Sequence, residues 1–297
     1  MNAPAPGIYE NIDFDQYTLW RAMNISTLLE GRRSMRHLKE AMDRPVRRRT
    51  ASMWRGILGH TLVLEPVTAM DRYVVMPLFE DDPENLTSKG ERPKNPTSTS
   101  WYRAKAKAFA RDNITREVIT QDKYDEIKGM VRALDINPKA RKMLTGGVRE
   151  LSMVWVDPNC GVVCKGRLDL VNEDEGFCLD LKVVEDASRF DHSIAKFHYD
   201  IRMASYMWGW STLRGESLTP WLMAVEGSPP YGIRTAPIGD ETMEIGLEQY
   251  RQLLSDYSRC LERDEWPGYD DPDEWNLPGV GGNGMAIYGL KISEVSR

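Results

Sequence analysis

The stretch 166-GRLDLVNEDEGFCLDLKVV-184 decides the centre of this fold. It consists of two apolar runs rich in Val, Leu or Phe, and the NEDEG between them has the composition of a turn, so it predicts a β-hairpin. Because side chains alternate along a strand, Asp180 and Lys182 are expected on one face. The hairpin brings Asp169 alongside them, so we expect two carboxylates and one ammonium to converge at the edge of the sheet.

Charged groups in an apolar sheet need partners, because burying an unpaired ion is costly. A hard divalent cation would match Asp169 and Asp180, since Mg²⁺ takes oxygen ligands and usually shares them with a phosphate. Lys182 would then orient an attacking water or hold the phosphate, which indicates metal-assisted phosphodiester hydrolysis. The alternative is an ordinary salt-bridged strand, because Asp-Leu-Lys also occurs by chance. These residues alone leave both interpretations open.

The composition is that of an ordinary globular protein. A chain of 297 residues, 41% hydrophobic and 28% charged, is long enough for one large domain or two modest ones. No run approaches the ~20 apolar residues that span a bilayer. The opening MNAPAPGIYENIDF lacks the basic and apolar regions of a secretory signal, so we expect a cytoplasmic protein that contacts no membrane.

The predicted elements place a β-sheet among helices. After an extended lead-in, helices are predicted at residues 25–42, 50–64, 100–112, 120–134, 137–144, 193–212 and 240–262, and strands at 150–156, 162–171, 177–184, 220–226 and 231–238. A polar loop over residues 80–100 is expected to be mobile. This order predicts an α/β fold with one mixed central sheet. We divide this single domain, residues 1–297, into a helical part (1–145), a catalytic sheet core (146–262) and an irregular tail (263–297).

Four cysteines allow three interpretations: disulfides, a metal site or structural thiols. Their spacing includes no C-x2-C pair, and a cytosolic chain of this size does not need disulfides. Cys164 and Cys178 lie inside predicted strands, where Cys packs as a small apolar residue. Structural thiols are therefore the favoured interpretation.

The net charge of −6 is unevenly distributed. Residues 31–55 contain nine Arg or Lys and two acids, a net charge of +7, whereas residues 262–274 contain seven acids and one base, a net charge of −6. A basic segment in an otherwise acidic chain is typical of a protein that binds nucleic-acid phosphates through that segment. A solvated helix face is the alternative.

Several motifs, in order, resemble the PD-(D/E)xK nuclease superfamily and, within it, the RecE-type exonucleases of phages and prophages. Asp169, Asp180 and Lys182 match the spacing D-x10-D-x-K, with Leu168 where Pro is common. The other matching segments are 7-GIYENIDFDQY-17, 24-NISTLL-29, 56-GILGHTLVLEP-66, 150-ELSMVWVDPNCGVVCKGRLDLV-171, 199-YDIRMASY-206 and 264-DEWPGY-269. The resemblance implies a PD-(D/E)xK core, in which helices flank a mixed central β-sheet, with a helical N-terminal region.

The resemblance also implies a role for each matching residue. Metal ligands would come from His60, Asp169, Asp180 and the Leu181 carbonyl. Glu150 would bind a second metal or position the water, and Lys182 would position or activate that water. Tyr206 would face the site from a helix. Arg202 stands where the family usually has Gln, and a guanidinium only donates hydrogen bonds, so we expect it to clamp a phosphate.

The activity implied by the resemblance is a Mg²⁺- or Mn²⁺-dependent exonuclease. It would degrade double-stranded DNA from its ends in the 5′→3′ sense and leave a 3′ single strand for a partner such as a single-strand annealing protein. A homo-oligomeric ring is expected, in the host cytoplasm if the gene is phage-encoded. DNA contacts are expected from Ser26, Arg32, Arg33, Arg47, Arg48, Arg49 and Arg55.

Two other functions compete with this one. A structure-specific or restriction-like endonuclease would use the same core, and supercoiled circular DNA separates it from an exonuclease. A non-catalytic DNA-end-binding protein is the second alternative. The presence of all three residues Asp169, Asp180 and Lys182 argues against it, because a nuclease that has lost its activity tends to lose one of its catalytic residues.

Overall fold

The computed structural model describes residues 1–44 and 51–269, without the side chains of residues 51–55, 67, 70 and 81. The predicted DNA contacts Arg47, Arg48 and Arg49, the Arg55 side chain and the tail from residue 270 lie outside the described residues. The helices are α1 Phe14–Leu19, α2 Ile25–Leu28, α3 Met35–Asp43, α4 Ala51–Leu64, α5 Pro66–Arg72, α6 Ser100–Asp112, α7 Gln121–Ile136, α8 Pro138–Leu144, α9 Phe190–Lys196, α10 Tyr199–Arg214 and α11 Asp240–Arg263. The strands are β1 Gly7–Tyr9, β2 Met23–Asn24, β3 Tyr73–Val75, β4 Glu117–Ile119, β5 Val148–Val156, β6 Val163–Asn172, β7 Phe177–Val184, β8 Thr219–Glu226 and β9 Ile233–Pro237.

A mixed sheet forms the centre of the fold. Its strands lie in the order β1-β5-β6-β7-β8-β9, and β2 pairs with β6 off this path. The β7–β8 and β2–β6 pairs are parallel, and the other pairs are antiparallel. The strands predicted at 150–156, 162–171 and 177–184 are therefore present as β5, β6 and β7, and the prediction of a mixed α/β sheet is confirmed. The lead-in, predicted only as extended, contributes β1 and the unpredicted helix α1, and β2 follows it.

Helices cover both faces of the sheet. On one face, α10 and α11 form a core with Met153 and Trp155 of β5. On the other face, α4, α7 and α8 pack against Leu179 and Leu181 of β7 and Met223 of β8. The central strands are therefore covered on both sides, which explains their nearly continuous apolar sequences.

Two predicted helices are each divided in the structure. The segment predicted as one helix at 25–42 is α2, a 3-10 turn and α3, because Ser34 caps α3 by accepting a hydrogen bond from the His37 backbone N–H at 3.3 Å. The segment predicted at 193–212 is α9 and α10, which are separated at His198, where φ is +57°. The short helix α5 and the two-stranded parallel sheet of β3 and β4 were not predicted.

The four cysteines are free thiols. Cys164 and Cys178 lie in β6 and β7 and belong to the apolar core under α10. They pack as small apolar side chains, as the sequence indicated. None of the helices in the described ranges is long and apolar enough to cross a membrane.

Candidate active site

The site lies where two central strands separate. Strand β6 pairs with β7 only through Leu170–Asn172, which face Phe177–Leu179. Asp169 and Asp180 are the first residues beyond this ladder, so their side chains line the opening of a fork. The expected position at the edge of the sheet was wrong, because β6 and β7 are interior strands of the strand order. The fork exposes the interior of the sheet without needing an edge.

The carboxylates of Asp169 on β6 and Glu150 on β5 lie where the regular geometry of both strands is interrupted. Leu168 belongs to one apolar core and Leu170 to the other, so the regular alternation of β6 is interrupted at Asp169. On β5, Glu150 has a φ of +52° and is missing from the ladder between the pairs of Arg149 and Leu151. A left-handed backbone at a non-glycine residue costs on the order of 1–3 kcal/mol, and such residues cluster at functional sites.

His60 joins these carboxylates from α4. Its Nδ1 lies 3.6 Å from Asp169 Oδ2, and one ligand atom from each of His60, Glu150 and Asp169 lies within 4.8 Å of the others. Helix α4 approaches β7 closely at Gly59, where an added Cβ would meet Val183 Cγ2 at 2.8 Å. A glycine before His60 therefore lets the imidazole reach the fork.

The electrostatics of this cluster suit a divalent cation. Burial raises the pKa of Asp169, and Asp180 adds to the rise, although His60 opposes it. Burial and the charge of Asp169 raise the pKa of Glu150, although Arg167 opposes the rise. Two carboxylates whose ionised forms are disfavoured, beside an imidazole nitrogen, fit Mn²⁺ or Mg²⁺, because a cation offsets both burial and mutual repulsion.

Asp180 and Lys182 form an ion pair beside the cluster. The Lys182 ammonium contacts Asp180 Oδ2 and donates to the Leu181 carbonyl at 3.3 Å. Leu181 is also tied to the cluster, because its backbone N–H donates to Asp169 Oδ2 at 2.7 Å. Burial alone would lower the pKa of Lys182, but Asp180 and Asp169 outweigh burial and raise it. Lys182 is therefore a charged hydrogen-bond donor at neutral pH.

Arg202 and Tyr206 reach the same region from α10. Burial opposes the charge of Arg202, but Tyr206 and Asp180 outweigh it and raise the Arg202 pKa. Arg202 Nη1 donates to Ser26 Oγ at 2.8 Å, which joins α10 to α2. Its Nε is buried and has no hydrogen-bond partner among the described residues. Arg202 therefore links α10 to α2 and lies against Tyr206.

The sequence interpretation missed Arg167, whose side chain is only 8% exposed. Its Nε donates to Glu150 Oε2, while its Nη1 donates to the Ile12 carbonyl at 2.7 Å and to Ser152 Oγ at 3.2 Å. Its Nη2 lies 3.8 Å from Glu65 Oε1. Arg167 therefore holds Glu150 and the start of α5 together. The available signal was a charged residue inside the apolar run of β6, because a buried ion needs a partner.

Lys165, two residues earlier on β6, has a different task. Its ammonium donates to the carbonyls of Tyr17, Thr18 and Trp20 at 2.9, 3.2 and 2.8 Å. These carbonyls lie at the C-terminal end of α1, where a cation compensates the exposed backbone acceptors. Burial lowers the pKa of Lys165 to about 8. Lys165 anchors the lead-in to the sheet and takes no part in the carboxylate cluster.

The predicted DNA contacts are only partly described. Ser26 is exposed and bonded to Arg202, and Arg33 is exposed. Arg32 donates to Gln249 of α11, and its charge helps lower the pKa of His198 after the larger effect of burial. Ser26 and Arg32 therefore lie beside α10 and α11.

Replacing Arg167 with Ala is expected to weaken Mn²⁺ binding by roughly 10–100-fold, the usual cost of losing a partner that orients a metal ligand. The reason is that Glu150 loses the guanidinium that holds one of its oxygens. Arg72→Ala is the matched control, because Arg72 pairs with Glu65 at 3.0 Å and does not touch Glu150. Calorimetry on both variants measures the difference. Equal affinities would show that Arg167 does not position Glu150.

The forked mixed sheet, with Asp169 on one branch and Asp-x-Lys on the other, defines the class of PD-(D/E)xK-like folds. The chain belongs to the family described as PDDEXK-like domain of unknown function (DUF3799), whose profile matches residues 27–273. No curated protein matches the sequence significantly.

Among solved structures, the chain is similar to a protein from Eubacterium rectale described as a "putative exonuclease". The identity is 14% and the TM-score 0.59, over 97% of this chain and 99% of that chain. At this identity the likeness shows the fold alone. A second structure, described as SSO0001, has 12% identity and covers 67% of this chain and 84% of that one, but its TM-score of 0.29 supports no argument.

Proposed function

We propose that this protein is a divalent-metal-dependent exodeoxyribonuclease that degrades double-stranded DNA from its ends, in the 5′→3′ sense, and leaves 3′ single strands for recombination. The observation that carries the proposal is the convergence of His60, Glu150 and Asp169 beside the Lys182–Asp180 pair. Membership of the PDDEXK-like family supports nuclease chemistry. The resemblance to RecE-type enzymes supports degradation from DNA ends and the 5′→3′ direction. The description of the Eubacterium rectale protein as an exonuclease supports degradation from ends.

The site residues divide into those that would bind the metal and those that would donate hydrogen bonds to the water or the phosphate. His60, Glu150 and Asp169 would hold Mg²⁺ or Mn²⁺, which when bound supplies charge stabilisation to a phosphate oxygen and lowers the pKa of water. Asp180 keeps Lys182 charged, so Lys182 would orient the water or phosphate by donating a hydrogen bond. This differs from a general base, which must accept a proton. Arg202 would clamp a phosphate through its charged guanidinium.

The assembly and partners are part of the same proposal. A homo-oligomeric ring would keep the enzyme on one DNA molecule, and a single-strand annealing protein would take up the 3′ strand. Light scattering of the purified protein tests the ring.

Digestion of labelled DNA tests the proposed reaction. Linear duplex should lose a 5′-end label early and a 3′-end label late, while supercoiled circular DNA should stay intact. EDTA should stop the reaction, and Mg²⁺ or Mn²⁺ should restore it, because the proposed ligands are mostly carboxylates. Nicking of the circle would favour the endonuclease, and end binding without cleavage at any metal concentration would favour the non-catalytic alternative.

A further inference from the structure

Residues 76–116 form the segment between β3 and β4. Strands β3 and β4 pair at its base. Tyr73 and Ile119 belong to the same apolar core as Leu58 and Leu64 of α4. Since α4 also carries His60, the base of this segment packs against the helix that carries a residue of the cluster.

A buried asparagine organises the loop that was expected to be mobile. Asn85 is fully buried, and its amide donates to the carbonyls of Phe79 and Pro96 at 3.3 and 3.2 Å. Its Oδ1 accepts from Thr99 Oγ1 at 2.6 Å, and the same hydroxyl oxygen caps α6 by accepting from the Tyr102 N–H at 3.0 Å. The loop is thereby tied to the start of α6.

One face of α6 is anchored by aromatic rings. Phe79 lies 6.4, 6.3 and 6.3 Å, ring centroid to centroid, from Trp101, Tyr102 and Phe109. The Tyr102 hydroxyl also donates to Glu80 at 3.3 Å. These contacts fix the orientation of the helix and leave its opposite face toward solvent.

That opposite face is basic. Residues 87–116 contain eight Arg or Lys and two acids, a net charge of +6, so the rest of this −6 chain carries −12. Arg103, Lys107 and Arg111 are exposed and four residues apart, which places them about 6 Å apart along the helix and about 40° apart around it. The contact of Arg111 with Asp112 at 3.4 Å is between exposed groups and neutralises little.

We propose that this α6 basic face, formed by Arg103, Lys107 and Arg111, binds the phosphate backbone of duplex DNA. The inference rests on the proposed function, because it takes duplex DNA as the substrate. Exposed cations on a rigid helix, in a chain that is otherwise strongly acidic, attract a polyanion to that face. The contacts are made to phosphates and carry no sequence preference.

The test is binding of a labelled blunt duplex in EDTA over a KCl series, with Arg103, Lys107 and Arg111 replaced by Ala. Each lost phosphate contact flattens the plot of log K against log salt by about 0.9, so the triple variant should lose about 2.7. Unrelated DNA sequences should be affected equally. In cleavage assays with Mg²⁺, the KM for DNA should rise while kcat at saturating DNA stays unchanged, because none of the three residues belongs to the cluster of His60, Glu150 and Asp169.

Two controls make the test specific. The variant R251A/R259A/R263A removes three exposed arginines from α11, on the other face of the sheet, and should keep the wild-type salt slope. The variant R103K/R111K keeps the charge and should bind like wild type. If the triple α6 variant is unstable to heat, Lys107→Ala alone should still lower the slope by about 0.9.

The outcomes separate this inference from the proposed function. A wild type that cleaves duplex, with an α6 variant of unchanged slope, would overturn the α6 surface and leave the nuclease standing. An equal loss in the α11 control would also overturn it, since any positive charge would then serve. A wild type that neither binds nor cleaves duplex DNA would overturn the proposed function itself.

Discussion

Asp169→Asn is expected to lower the rate of duplex cleavage by about 10³-fold or more, the scale on which loss of a key electrostatic group is felt. Asp169 contacts His60 and the Leu181 N–H and lies at the centre of the proposed metal site. Asn has nearly the same shape, and its oxygen can still accept from Leu181. The substitution therefore removes the charge while the fork keeps its backbone.

Three measurements on the same preparation check this result. Single-turnover cleavage at saturating Mg²⁺ gives the rate, calorimetry gives Mn²⁺ affinity, and a thermal melt reports the fold. Asp174→Asn is the matched control, because Asp174 is an exposed carboxylate in the turn of the same hairpin and should behave as wild type. Full cleavage by folded Asp169→Asn would remove Asp169 from the mechanism.

Lys182→Met is expected to lower the cleavage rate by roughly 10²–10³-fold, because the site loses its ammonium donor. The change also leaves Asp180 without its cation, and breaking a buried ion pair from one side costs about 3–5 kcal/mol of folding stability. Thermal melting must therefore accompany the kinetics. The double variant Lys182→Met/Asp180→Asn removes both charges and should recover stability without recovering rate.

Lys182→Arg and Lys196→Met complete that experiment. Arg keeps the positive charge beside Asp180, so the Lys182→Arg variant should still fold. Because its guanidinium is longer and planar, the variant should cleave DNA more slowly than wild type. Lys196 is an exposed residue of α9, and its replacement should change nothing. Wild-type rates in folded Lys182→Met would show that the Asp180–Lys182 pair is structural, which is the ordinary salt bridge that the sequence left open.

The pH dependence follows from the same pKa shifts. The raised pKa values of Asp169 and Glu150 mean that protons compete with the metal at higher pH than for ordinary carboxyls. Cleavage activity should therefore fall as the pH drops through the raised pKa values of Asp169 and Glu150, both in wild type and in Lys182→Arg. Because the pKa of Lys182 is raised, its deprotonation should not shape the profile near neutral pH. An alkaline rise in rate that disappears in Lys182→Met would instead make Lys182 a base.

Local patterns predicted the hairpin and its face. The alternation along 177–184 placed Asp180 and Lys182 together, and the structure shows them in contact. The same alternation could not predict the orientation of Asp169, because the regular pattern fails there and Glu150 adopts a left-handed backbone. Such a break depends on how two apolar cores compete for neighbouring residues, and no short window of sequence contains that information.

By itself the sequence determined the main helices and strands of the core, the mixed sheet and the PD-(D/E)xK superfamily, because these follow from apolar periodicity and from motifs along the chain. Only the tertiary structure decided that the charges lie at an interior fork, that a left-handed backbone at Glu150 accompanies its approach to Asp169, and that Arg167 holds Glu150. It also decided that the α6 basic face is held rigidly outward. The physical reason is that periodicity records which side of an element is buried, whereas charge contacts depend on which distant elements that burial brings together.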